Sequence, residues 1–161
     1  MRLSKPLQVL NINETSLPKA EDVDTSNLVE IYKVFIQLEL LCKQHGISSL
    51  CANQIGVPSN LFVVCEKTRV RKILNAKYDV KDQHKQQGLV RFINAEVGRP
   101  KHYLLEFHNE IEATYLEFDY GSSLIEKKEV GTLLWFQFNV DILNGRYPPS
   151  HGVEYLVNGV T

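Results

Sequence analysis

Phe136-Gln137-Phe138-Asn139-Val140-Asp141-Ile142-Leu143-Asn144-Gly145 is the stretch on which the reading of this chain turns. Phe136, Phe138, Val140 and Ile142 alternate with Gln137, Asn139 and Asp141, and strict alternation is the signature of a half-buried strand. The same residues, with Leu133 and Leu134 ahead of them, also suit a helix buried nearly all round, for which Asn144-Gly145 is a usable C-terminal cap. Periodicity alone favours the strand.

A second stretch bears on the choice. Ile47-Ser48-Ser49-Leu50-Cys51-Ala52-Asn53-Gln54-Ile55-Gly56 is followed by the apolar run Leu61-Phe62-Val63-Val64. Together the two stretches resemble the peptide deformylases, which carry a motif close to G-x-G-L-A-A-x-Q-x-G ahead of a buried strand and Q-H-E-x-D-H-L-N-G near the C-terminus. Leu50, Ala52, Gln54 and Gly56 match the first, with Cys51 for an alanine and with Ile47 and Ser49 where glycines are expected. Gln137, Asp141, Leu143, Asn144 and Gly145 fall in register with the second, whereas Phe138, Asn139 and Ile142 stand for its His, Glu and His.

The resemblance implies a single α+β domain over residues 1–161, with mixed or antiparallel strands packed around a central C-terminal helix. That helix is expected over Glu129 to Leu143. The family's chemistry needs a metal ion that lowers the pKa of bound water, and a carboxylate that shuttles its proton. Phe138 and Ile142 have no lone pair to give, and Asn139 takes no proton at neutral pH. The third ligand of the family is a cysteine in E-G-C-L-S, yet no cysteine occurs from Phe92 to Val140. The expectation is therefore a catalytically inactive protein without metal or other cofactor, acting as a protein- or peptide-binding module. A divergent deformylase using other ligands and a structural or virion-assembly protein are the alternatives. On the substrate side the resemblance leaves Gln54, with Leu50 and Gly56, as a candidate peptide groove, although Gln54 would equally serve to satisfy buried backbone groups. Small deformylase-family genes occur in viruses of bacteria, so a phage source, and a place in the host cytoplasm or virion, accord with it.

Composition agrees with one compact unit. A chain of 161 residues buries roughly 70% of the surface that it exposes when unfolded. Cys42, Cys51 and Cys65 show no CxxC spacing, and the residues after Met1 lack the apolar core of a signal peptide. They read as idle or buried thiols in a reducing cytoplasm. No apolar run reaches the roughly 18 residues of a membrane span.

Net charge is −1, which argues against a polyanion-binding domain, and no nucleic-acid motif is present. The charges are nevertheless uneven. Between Glu66 and Gln87, Lys67, Arg69, Arg71, Lys72, Lys77, Lys81 and Lys85 are offset only by Glu66, Asp79 and Asp82. That segment reads as a solvated hairpin or loop, with Arg69, Arg71 and Lys72 as a candidate partner patch. Glu106, Glu110, Glu112, Glu117 and Asp119 read as a solvated sheet face.

The clearest element is a helix after Asp24-Thr25-Ser26. Leu28, Ile31, Tyr32, Phe35, Leu38, Leu41 and Cys42 recur at three- and four-residue steps, and His45-Gly46 is its stop. Leu61 to Cys65, Leu89 to Ile93 and Ile111 to Phe118 read as strands, with turns at Gly98-Arg99-Pro100 and Tyr120-Gly121-Ser122-Ser123. The histidines at 45, 84, 102, 108 and 151 are scattered; His102 and His108, near Glu106 and Glu110, form the one cluster among them.

Overall fold

The computed structural model describes residues 3–11, 19–94, 99–119, 123–145 and 154–160, with side chains given for 19–44, 46–82, 110–119 and 123–145. The elements are β1 (Leu3–Asn11), α1 (Leu28–His45), β2 (Ser49–Cys51), a 3₁₀ turn (Ala52–Ile55), β3 (Leu61–Cys65), β4 (Val70–Asn94), β5 (Arg99–Phe118), β6 (Leu124–Gly131), α2 (Leu134–Leu143) and β7 (Glu154–Val160). Strands β2 to β6 form one sheet in sequence order, each antiparallel to the next, and β1 pairs with β7 in a separate two-stranded sheet. This is an α+β architecture with a helix on each face of the larger sheet.

Helix α1 forms where its three- and four-residue period places it. Asn27 is the N-cap, accepting the Glu30 N–H at 3.4 Å, one residue beyond the expected cluster. Gly46, at φ +62°, closes the helix in the left-handed conformation that favours glycine. Ile31, Val34, Phe35, Leu38, Leu41 and Cys42 are buried against Leu50, Leu61, Val63, Leu74 and Phe118 of the sheet. Burying a side chain such as Phe35 contributes roughly 2–3 kcal/mol. Tyr32, expected in the same stripe, instead sits at its rim, with its ring edge-on to Phe118.

The segment from Phe136 to Leu143 is helical, with Asn144 as its C-cap, so the strand favoured by its alternation is not formed. Residues two apart lie on opposite sides of a helix, and both sides of α2 are covered: Phe136, Gln137, Asn139, Val140, Ile142 and Leu143 are all buried. The helix begins at Leu134, five positions later than expected from Glu129. Glu129, Val130 and Gly131 are instead the last residues of β6, paired with Ala113, Glu112 and Ile111. Below α2, Phe136 packs on Tyr115 and Phe62 at centroid distances of 5.1 and 6.1 Å, with Ile73, Ile111 and Ala113 completing this second core.

The polar segment after Cys65 is not a loop but the turn and second arm of an antiparallel hairpin with β3, in which Cys65 pairs with Val70. From Val70 it continues to Asn94 as β4, and it pairs with β5 along its length. Its polarity fits half-solvated backbone: Lys77, Asp79 and Lys81 are exposed, while Tyr78 and Val80 are partly buried. The expected strands at Leu61–Cys65, Leu89–Ile93 and Ile111–Phe118 coincide with β3 or lie inside β4 and β5. Arg99 and Pro100, assigned to a turn from sequence, open β5; Gly98 and residues 120–122 lie outside the described residues. Among the described residues, no helix is long and apolar enough to cross a membrane.

Candidate functional site

Two stretches far apart in sequence meet between the sheet and α2. Strand β2 ends at Cys51, where the chain tightens into the 3₁₀ turn and leaves it through Gly56 at φ +87°, a conformation that a side chain resists. Successive strand residues point to opposite faces. Leu50 accordingly enters the core under α1, and Cys51 enters the core under α2. The Cys51 thiol donates to Asn139 Oδ1 at 3.2 Å, and Asn53 Nδ2 donates to the Ile142 carbonyl at 2.8 Å. These two bonds fasten the Gln54 segment to the helix.

Asn139 is almost fully buried, and both ends of its amide are engaged: Nδ2 donates to the Trp135 carbonyl at 2.6 Å while Oδ1 takes the Cys51 thiol. Burial pushes the Cys51 thiol well up from its ordinary value, so it remains protonated and able to donate. Ile142 is buried in the same core, and Phe138 packs against its edge. A divalent ion requires several lone-pair donors; Phe138 and Ile142 have none, and the Asn139 amide oxygen is taken by the Cys51 thiol, so these three side chains do not fit one. Among the described residues, no group of three or more His, Cys, Asp or Glu side chains is gathered around a common point. His102 and His108 lie on β5 opposite Arg91 and Lys85.

Gln54 is buried beside this junction, and its Oε1 accepts the Cys51 N–H at 3.0 Å. Strand β2 pairs only with β3 among the described residues, so it forms an edge of the sheet. The Cys65 N–H donates to the Ser48 carbonyl at 2.7 Å, which fixes the alternation of the ladder. The backbone groups of Ser49 and Cys51 therefore face outward, and the Gln54 carbonyl covers one of them.

Arg69, Arg71 and Lys72 do not form one surface. Arg71 and Lys72 are neighbours on β4 and point to opposite faces of the sheet. Arg71 lies under α2, with its Nε and Nη2 donating to Glu117 at 2.9 and 3.0 Å, Nη2 also reaching Tyr115 Oη at 3.2 Å, and its guanidinium 4.4 Å from the centre of the Trp135 ring. Lys72 lies over the Tyr32 ring on the α1 side. Arg69 is partly exposed beside Glu66. Glu117, expected on a solvated face, is 3% exposed. Burial pushes its carboxyl up, but hydrogen bonds from Arg71 and Lys127 outweigh this and hold it below the usual range. The sequence signal for Glu117 was its place two residues after Tyr115 and four after Ala113, on the inward face of β5. For Asn139 and Cys51 it was two departures from family motifs that prove to touch each other.

The arrangement of an antiparallel sheet between α1 and α2, with the Gln54 segment docked on α2, is a peptide-deformylase-like fold. The chain is similar to a peptide deformylase from Synechococcus elongatus in complex with actinonin, at TM-score 0.67 and 18% identity over 87% of this chain and 75% of that one. It is also similar to the peptide deformylase from Thermus thermophilus, at TM-score 0.63 and 21% identity over 90% and 86% of the two chains. A probable peptide deformylase from Synechococcus phage S-SSM7 aligns at TM-score 0.63 and 17% identity, over 88% of this chain and 95% of that one. No protein-family model and no curated protein matches the chain.

Proposed function

We propose that this protein uses a peptide-deformylase-like fold without deformylase chemistry, and that it binds an extended protein or peptide segment at the edge of β2 beside Gln54. The observation that carries the first half is the closed amide of Asn139. A general base must reach a water and accept its proton; this side chain is an amide, is buried, and is held by Cys51 and Trp135. With Phe138 and Ile142 beside it, the position works as core. The second half rests on the outward N–H and carbonyl of Ser49, which suit β-strand addition, the Cys51 N–H being taken by Gln54. The Gln54 side chain stands next to them as an orienting amide.

Purified protein should hold no stoichiometric zinc, iron or nickel by elemental analysis, should melt at the same temperature in chelator, and should not release formate from formyl-Met peptides. Metal at one equivalent together with turnover would establish the second reading, a divergent deformylase, with which the solved structures of similar fold are equally compatible. Binding has its own test. Ser49→Pro removes an outward N–H and should abolish capture of an extended peptide, whereas capture unchanged by this substitution would move the binding surface elsewhere.

A further inference from the structure

The larger sheet has a second edge, opposite β2. Strand β6 pairs with β5 and with no other strand among the described residues. The Asp119 N–H donates to the Ser123 carbonyl at 3.1 Å, which makes that directly opposed pair a bonded one. Bonded pairs alternate along an antiparallel ladder. Ile125, Lys127 and Glu129 therefore direct their backbone groups to β5, opposite Glu117, Tyr115 and Ala113. The N–H and carbonyl groups of Leu124, Glu126, Lys128 and Val130 face outward. Apolar surface accompanies them, since Ile125 and Val130 are 42% and 54% exposed. The peptide site proposed beside Gln54 uses none of these residues.

We propose that β6 pairs antiparallel with β6 of a second copy, about a two-fold axis through Lys127, so that two five-stranded sheets join into one. In that register Glu126 faces Lys128 of the second copy, Lys128 faces its Glu126, and Leu124 faces its Val130, all on the α1 side of the sheet. Every outward residue from Leu124 to Val130 is then paired and exchanges backbone bonds across the axis. Sliding one strand by two residues either way would set Glu126 opposite Glu126, or Lys128 opposite Lys128. Charge therefore selects a single register.

Lysines on an edge ordinarily keep a second strand away. On β6 their charges are matched. Lys127, which meets its own copy at the axis, lies on the α2 side with its Nζ 3.1 Å from Glu117, and Glu129 of the second copy stands diagonally from it. Lys128 reaches Glu112 at 3.1 Å and gains Glu126 of the second copy. Glu112 is also held by Lys81 at 3.2 Å, so replacing Lys128 does not strand it. One edge of 8 residues makes an interface at the small end of the usual range, and the association is accordingly reversible.

The test is sedimentation of the full-length protein from micromolar to millimolar concentration, with amide hydrogen exchange at both ends of that range. Expected is a monomer–dimer equilibrium in which the amides of Glu126, Lys128 and Val130 gain protection as dimer forms. Glu126→Lys and Lys128→Glu each set like charges opposite one another on both sides of the axis, and each should weaken dimerisation by at least about tenfold. An equimolar mixture of the two variants restores opposite charges in both pairs and should recover a heterodimer of wild-type affinity. If either variant fails to fold, the wild-type exchange pattern decides alone. A protein monomeric at every concentration, even one whose β6 captures an added extended peptide, would overturn the proposal. So would single variants that dimerise like the wild type, folded variants whose mixture does not associate, or protection that appears at Ser49 instead of on β6.

Discussion

Under α1 the sheet is packed by Phe35, Leu38, Leu41, Leu61, Val63 and Leu74, an almost wholly apolar core. Under α2 the same sheet carries Phe62, Ile73, Ile111 and Phe136, but this face also encloses Asn139, Asn53 and the Arg71–Glu117 pair. The first face is held by burial, which is non-directional and tolerant of exchange between similar side chains. The second depends on partners, because removing one member leaves another buried and unsatisfied. The two faces should therefore fail in different ways.

Phe35→Ala tests the apolar face and should cost about 4 kcal/mol, as transfer and cavity terms add; urea unfolding measures it. Arg71→Ala tests the other face and should cost about 3 kcal/mol, the low end for a broken buried pair because Lys127 remains 3.1 Å from Glu117. A loss below about 0.5 kcal/mol for Arg71→Ala, the scale of an exposed ion pair, would erase the contrast.

Acid sharpens the comparison. The Glu117 carboxyl is held below its ordinary value in the folded protein, so its stabilisation is present above the unfolded pKa of about 4.3 and is lost as pH falls through the lower folded value. The gap in melting temperature between wild type and Glu117→Gln should thus be widest near neutrality and should shrink as pH falls below about 4. A gap unchanged down to about pH 3 would show that charge is not what Glu117 contributes.

Cys51→Ala should cost about 1–2 kcal/mol, since it removes one hydrogen bond to Asn139 and leaves a small void. Thermal melting would reveal it, and an effect near zero would mean that the thiol merely fills space. Lys72→Glu should change stability by no more than about 0.5 kcal/mol, because Lys72 loses only a loose contact with the Tyr32 ring at 5.5 Å. The two basic neighbours on β4 should then differ about sixfold in their cost, although sequence treats them as one patch.

The same division explains what could be read in advance. Helix α1 has one wet face, so its apolar positions recur with the helical period and both of its ends carry recognisable caps. Strand β3 is short, apolar and β-branched, and its bounds were legible to the residue. Helix α2 is covered on both sides, so its apolar positions carry no helical period, and only the motif match pointed to a helix. Its start was placed too early because Glu129 to Gly131 are fixed by their pairing with Ala113 to Ile111 on the neighbouring strand, which the motif match does not encode. Arg71 and Glu117 were misplaced because charge was taken as a sign of solvent. Their mutual neutralisation depends on the register of β4 against β5, where Glu117 stands opposite Ile73, two residues from Arg71, and no local pattern encodes that register.

The pairing of β1 with β7 has a kinetic consequence. Every partner in the larger sheet is the next strand along the chain, so that sheet can zip up from local hairpins with modest loop-closure entropy. Leu10 meets Tyr155, and Gln8 meets Val157, only when nearly the whole chain has been drawn together. Zippering of the five strands should precede this closure during refolding. Amides of β1 and β7 should then acquire protection from hydrogen exchange in a later phase than those of β3 and β4, and in the native state they should open first.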